Sequence, residues 1–217
     1  NTITLNNVFN VNPGGTASVT NKAIGMYLDT NVKGTTDKFV ENTLDLTNSN
    51  AKINVTSKGI GVYAKNSSNT VNNTIKLTKI SSDGNETVGV YADGNIKLAQ
   101  ANGKIEAKNK GIGLYGSASK VTLETGTTEV RTTAAGTGLY LTNGSYLTNN
   151  KLSLKNNTVG TAAAGVYYTK GTNTNELTHN TELEVASGSN DLLAMYLDGG
   201  VKVKNVKAIT SDTGANN

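Results

Sequence analysis

A tripeptide of a small residue, an apolar residue and tyrosine occurs seven times in this chain. It reads Gly25-Met26-Tyr27, Gly61-Val62-Tyr63, Gly89-Val90-Tyr91, Gly113-Leu114-Tyr115, Gly138-Leu139-Tyr140, Gly165-Val166-Tyr167 and Ala194-Met195-Tyr196. The intervals between successive tyrosines are 36, 28, 24, 25, 27 and 29 residues. A motif that returns at a nearly constant period marks stacked repeats, because one such unit cannot bury its apolar edge alone and needs a neighbour above and below.

The unit is made of strands. In Ile24-Gly25-Met26-Tyr27-Leu28-Asp29 the apolar residues alternate with Gly, Tyr and Asp, the period of two that a pleated strand imposes. Each repeat holds two further alternating runs, for example Lys104-Ile105-Glu106-Ala107 and Lys120-Val121-Thr122-Leu123. Turn sequences such as Asp93-Gly94-Asn95 separate them. No segment keeps a helical period. The expected fold is all-β: a right-handed parallel β-helix of about seven coils, with three short strands per coil. The organisation expected is one β-helical segment over 1–217, interrupted by an insertion loop at about 31–42 where the interval is longest. The chain begins and ends inside the repeat pattern, so it reads as a piece of a longer protein.

Composition removes several function classes. Without cysteine, neither disulfides nor thiolate metal sites are available, and a single histidine rules out a poly-His site. Cofactors and metals are therefore not expected. Of 20 basic residues only Arg131 is an arginine, and the lysines are interspersed with acids, so no nucleic-acid partner is expected. No apolar run approaches the ~20 residues of a membrane span, and the segment is expected to lie outside the membrane.

The phrases Lys58-Gly59-Ile60-Gly61-Val62-Tyr63-Ala64 and Lys110-Gly111-Ile112-Gly113-Leu114-Tyr115, in an Asn/Thr/Lys-rich chain without cysteine, resemble the passengers of large fusobacterial type V autotransporter adhesins. The likeness runs from Ile24 to roughly Asn205. It implies secretion through an outer-membrane β-barrel and display on the bacterial cell surface as an anchored or released passenger. It also implies non-catalytic attachment to a host cell-surface receptor, protein or glycan, or to a partner bacterium. A passive stalk presenting a binding tip located elsewhere is the alternative, and a polysaccharide lyase or hydrolase a weaker one. A monomer is expected.

Two surfaces are candidate binding sites. One is the tyrosine column, Tyr63, Tyr91, Tyr115 and Tyr140 above all. By strict alternation these rings share the outward face with the preceding glycine, and lie over it, either as cover for bare backbone or as an aromatic platform. The other is the insertion, Thr35, Thr36, Asp37, Lys38 and Phe39, since extra residues in one coil must bulge outward and loops often carry function. Four other features carry less. Gly111 to Gly116 spells G-x-G-x-x-G, but inside a strand repeat rather than at a strand-to-helix turn. The column two residues after each tyrosine, Asp29, Lys65, Asp93, Ser117, Thr142, Thr169 and Asp198, mixes acid, base and hydroxyl. It does not supply the neighbouring carboxylates of a β-helix lyase, and reads as a solvated corner. His179 has no nucleophile motif beside it. Enzymatic activity is not expected.

Overall fold

The computed structural model describes residues 1–11, 23–32, 38–56, 58–99, 102–124, 126–156, 158, 161–171, 177–178, 180–185, 191–204 and 208–211. They form an all-β parallel solenoid of about five turns, with no helix among the described residues. No helix of the described residues is long and apolar enough to cross a membrane.

One wall of the solenoid is a seven-stranded parallel sheet of the tyrosine repeats: Ile24–Asp29, Ile60–Lys65, Val88–Asp93, Ile112–Ser117, Thr137–Thr142, Ala163–Thr169 and Leu192–Asp198. A first flank stacks Thr2–Thr4, Asn42–Asp45, Asn73–Lys76, Ile96–Ala99 and Lys120–Leu123. A second flank stacks Val8–Val11, Lys52–Thr56, Lys79–Asp83, Lys104–Lys108 and Thr127–Thr133. The long strand Tyr146–Asn156 pairs with both flanks and joins them into one sheet. It turns the corner at Asn149 and Asn150, which take left-handed φ of 65° and 42°, a conformation asparagine tolerates better than other side chains.

The core is a set of in-register columns. On the tyrosine sheet Val62, Val90, Leu114, Leu139 and Val166 lie one above another, fully buried. On the second flank Ile53, Ile80, Ile105, Val130 and Leu154 do the same. Fully burying each such side chain is worth about 1.5–3 kcal/mol, so repetition of one small apolar unit supplies most of the stabilisation. The Tyr168 ring, outside the repeated motif, is also fully buried and stacks in register above Leu141.

Polar residues enter the interior where coils turn. The Asn42 amide donates to Asn73 Oδ1 at 2.9 Å and to the Asp29 carbonyl at 2.8 Å, and the Asn73 amide donates to the Lys65 carbonyl at 2.8 Å. Asn66 donates to the Val71 and Asn95 carbonyls and accepts from Thr30 Oγ1 and the Ser68 amide. Each stacked asparagine thus satisfies corner carbonyls that no strand can reach, which makes its burial tolerable.

The glycines correct the expected alternation. A Cβ on Gly61 would lie 2.8 Å from Val55 Cγ2 and 2.9 Å from Ile53 Cγ2, both core side chains, and 2.6 Å from the Gly89 carbonyl oxygen. Gly89, Gly113, Gly138 and Gly165 stand in the same relation to Ile80, Ile105, Val130 and Leu154. The glycines therefore face inward, and the tyrosine rings do not lie over them. The ladder pairs Ile60 with Val88 and Val62 with Val90 but skips the glycine between, so the pleat breaks there. Gly is needed because the tyrosine sheet and the second flank come closest along this line. The last rung carries Ala194, and it is the end of the sheet.

Candidate functional site: a stacked tyrosine ladder

The seven repeat tyrosines stack face to face along the solenoid. Successive ring centroids are 5.3, 4.8, 4.8, 5.2, 4.8 and 4.9 Å apart from Tyr27 to Tyr196, and the planes differ by 6° to 24°. Parallel in-register pairing produces this: Tyr63 lies beside Tyr91, Tyr91 beside Tyr115 and Tyr115 beside Tyr140 on neighbouring strands. The spacing between strands, ~4.8 Å, sets the spacing between rings. Such stacked pairs add about 0.5–1.5 kcal/mol each beyond the area they bury.

Stacking decides what the column can present. Tyr63, Tyr91, Tyr115 and Tyr140 each have a ring on both faces, so no sugar ring can lie flat on them. Their outer edges and hydroxyls form the accessible line. Among the described residues, the rings of the outermost rungs are the most exposed, Tyr27 at 54% and Tyr196 at 44%.

The column two residues beyond the tyrosines is part of the ladder rather than a bare corner. Tyr27 donates to Asp29 at 3.2 Å, Tyr63 to Asp93 at 3.3 Å and Tyr167 to Asp198 at 2.6 Å. Lys65 Nζ lies 3.9 Å from Asp29. The hydrogen bond to Asp198, followed by partial desolvation, pushes the Tyr167 phenol up to about 12. Burial between neighbouring rings, followed by the Asp93 charge, raises Tyr63. Burial, followed by interaction with adjacent tyrosines, raises Tyr91 and Tyr115. The Tyr-x-Asp spacing in Tyr27/Asp29, Tyr91/Asp93 and Tyr196/Asp198 was the available signal. Only the stacking shows that Asp93 and Asp198 serve the ring of the preceding coil.

Beside the rings runs a second column of in-register residues. Thr137, Ala164 and Leu193 are in register, and with Ala135, Ala162, Ala163, Tyr167 and Tyr196 they line an open hollow of about 200 Å³. In earlier coils the same column carries Ile60, Val88 and Ile112, so the hollow occurs where these side chains become small.

Of the insertion, Thr35, Thr36 and Asp37 lie outside the described residues, as does His179. Lys38 is exposed, and its carbonyl accepts from the Val32 amide at 3.0 Å. Phe39 is half-buried and forms an antiparallel bridge with Asn31. The insertion is therefore pinned at its base, directly after the Tyr27 strand. Gly111 to Gly116 falls on the strand Ile112–Ser117 and the turn before it. On the flanks, charges pair between coils: Lys79 with Glu106 at 2.9 Å, Lys97 with Glu124 at 2.8 Å and Lys151 with Glu182 at 3.0 Å. Among the described residues no group of three or more His, Asp or Glu is placed to hold a metal ion.

No family model, curated protein or solved structure matches this chain.

Proposed function

We propose that this chain is a segment of the passenger of a surface-displayed adhesin of the fusobacterial type V autotransporter kind. In this reading it is a right-handed β-helix of seven coils with three strands each. It is held at the outer membrane or released, acts as a monomer without cofactor or catalysis, and attaches the cell to a host receptor or a partner bacterium. The observation that carries the reading is the unbroken line of seven tyrosine edges and hydroxyls on one wall of a rod. Aromatic side chains with a polar tip, held rigid, are the residues that dominate protein recognition surfaces. A flat wall gives modest affinity per contact, and many copies on one cell supply the rest by avidity.

The stalk reading draws on a different feature of the same ladder. A ring in every coil, with its faces spent on neighbours, is what a spacer needs to stay rigid. Attachment of chain-coated beads to epithelial cells and to other bacteria separates the two. The combined variant Tyr63→Phe, Tyr91→Phe, Tyr115→Phe and Tyr140→Phe keeps the stack and removes the hydroxyl line. Lys38→Ala with Phe39→Ala tests the insertion. Loss of attachment in the first variant supports the ladder, and loss in the second supports the loop. Parent beads that attach to neither cell type would leave the stalk as the better account.

A further inference from the structure

We propose that Tyr167 and Tyr196 are an oxidative cross-linking site, at which a one-electron oxidant joins two neighbouring coils through a carbon–carbon bond between the rings. The inference does not depend on what the ladder binds. Three features of this pair carry it. The rings are stacked with centroids 4.9 Å apart, and a 21° tilt brings one pair of edges closer than the other. The Tyr167 hydroxyl donates to Asp198 Oδ2 at 2.6 Å, so a proton acceptor is already in place. Tyr140, the other neighbour of Tyr167, lies within 9° of parallel to it, so no pair of edges is drawn together there as at Tyr196. At the opposite end, Tyr27 and Tyr63 are 5.3 Å apart, and their hydroxyls reach carboxylates only at 3.2 and 3.3 Å.

Two equivalents of a one-electron oxidant, such as the oxidised haem of a peroxidase fed with peroxide, take one electron from each phenol. The Tyr167 proton passes to Asp198 and the Tyr196 proton to solvent. Each neutral radical carries spin on the ring carbons next to the C–O carbon. One such carbon from each ring couples, forming a single C–C bond. The hydrogens on those two carbons then leave as protons, the two oxygens are reprotonated, and both phenols are restored. The net loss is two electrons to the oxidant and two protons to solvent. Because the Tyr167 phenol holds its proton far above neutral pH, the electron can leave easily only if the proton moves with it, and Asp198 provides that route. The product rivets the strands Ala163–Thr169 and Leu192–Asp198 with a covalent bond that survives unfolding.

The test is to treat the dilute chain with a haem peroxidase and limiting hydrogen peroxide, isolate the monomeric fraction, digest with trypsin and sequence linked peptides by mass spectrometry. Cleavage after Lys170 separates the two rings. The expected product is a dityrosine joining the peptide that contains Tyr167 to the one that contains Tyr196. Tyr167→Phe should abolish that linkage even though Tyr168 remains. Asp198→Asn, which keeps both rings, should lower its yield by about tenfold or more, with circular dichroism confirming the fold. Tyr196→Phe, at the exposed end of the stack, provides a second variant with little structural risk. The proposal is overturned if the treated parent links only between chains, or at other ladder pairs and not here. It is equally overturned if folded Asp198→Asn cross-links as well as the parent.

Discussion

Gly89 has almost no room around its α-carbon: an added methyl would sit 2.5 Å from the Gly113 carbonyl oxygen and 2.8 Å from Ile80 Cγ2. Neither neighbour can yield, since one is backbone in a parallel ladder and the other is core. Gly89→Ala is expected to cost about 3 kcal/mol, measured by chemical denaturation. Gly200, with open space around its α-carbon but a left-handed φ of 72°, should lose only about 1 kcal/mol on the same change, through backbone strain alone. Glu106 makes a pH prediction. Burial alone would raise its pKa, but the Lys79 and Lys108 ammonium groups at 2.9 and 3.4 Å prevail and hold it below the usual carboxylate range. A carboxylate with a depressed folded pKa stabilises above its unfolded pKa and loses that contribution as pH falls through the folded value. Acid titration of stability should therefore be shallower in Glu106→Gln than in the parent between about pH 4.5 and lower values. Tyr167 behaves in the opposite direction. Its folded pKa is raised to about 12, so its contribution is full below the ordinary phenol value and is lost as pH rises toward 12. Absorbance titration at alkaline pH should show several late-ionising tyrosines, among them Tyr63, Tyr91, Tyr115 and the buried Tyr168, and the curve of Asp198→Asn should differ from the parent by one phenol that ionises earlier.

At the level of elements, two kinds of ladder hold neighbouring coils in register. The tyrosine stack does so on one wall, and the buried asparagines do so at a corner. Asn73→Ala removes the acceptor of Asn42 and the donor to the Lys65 carbonyl at once. Leaving buried polar groups unpaired should destabilise by about 2 kcal/mol, and a thermal melt reads this directly. Asn73→Leu is the informative companion, because the next coil carries Ile96 at the same register position. If Leu restores stability, the site needs only volume. If it does not, the corner carbonyl needs its donor. The charge pairs on the flanks sit on partly exposed surface and contribute little individually. The native register also sets Lys79 beside Lys104 and Arg131 beside Lys155, so it is the stacked apolar, tyrosine and asparagine columns rather than these charges that hold the coils in register.

The whole molecule is quasi-one-dimensional, since each coil touches only the coils above and below. Stability should then be graded along the axis rather than uniform. Hydrogen exchange measured by mass spectrometry is expected to be slowest for the strands Val88–Asp93 and Ile112–Ser117 and faster for Ile24–Asp29 and Leu192–Asp198, which end the tyrosine sheet. Uniform exchange across these four strands would mean that the rod unfolds as one cooperative unit instead. The same geometry explains why exposed large apolar residues gather on terminal rungs: Ile24, Tyr27, Leu193, Tyr196 and Leu197 are all 44–54% exposed, whereas their equivalents in middle coils are covered by neighbours.

The amino-acid sequence alone determined the repeat, the strand character and the parallel stacking, because a period of two within a longer constant period leaves few ways to bury an apolar edge. It also determined that the seven tyrosines fall in one row, since equal register places equal residues side by side. Three things were decided only by tertiary structure. The glycines turned inward, because how closely two walls approach is not encoded in local alternation. The carboxylates of Asp93 and Asp198 were assigned to rings of the preceding coil, because a partner about 30 residues away in sequence becomes a neighbour only after stacking. And the faces of Tyr63, Tyr91, Tyr115 and Tyr140 were spent on one another, giving a line of edges in place of either backbone cover or a flat platform, because strand spacing and ring stacking distance nearly coincide.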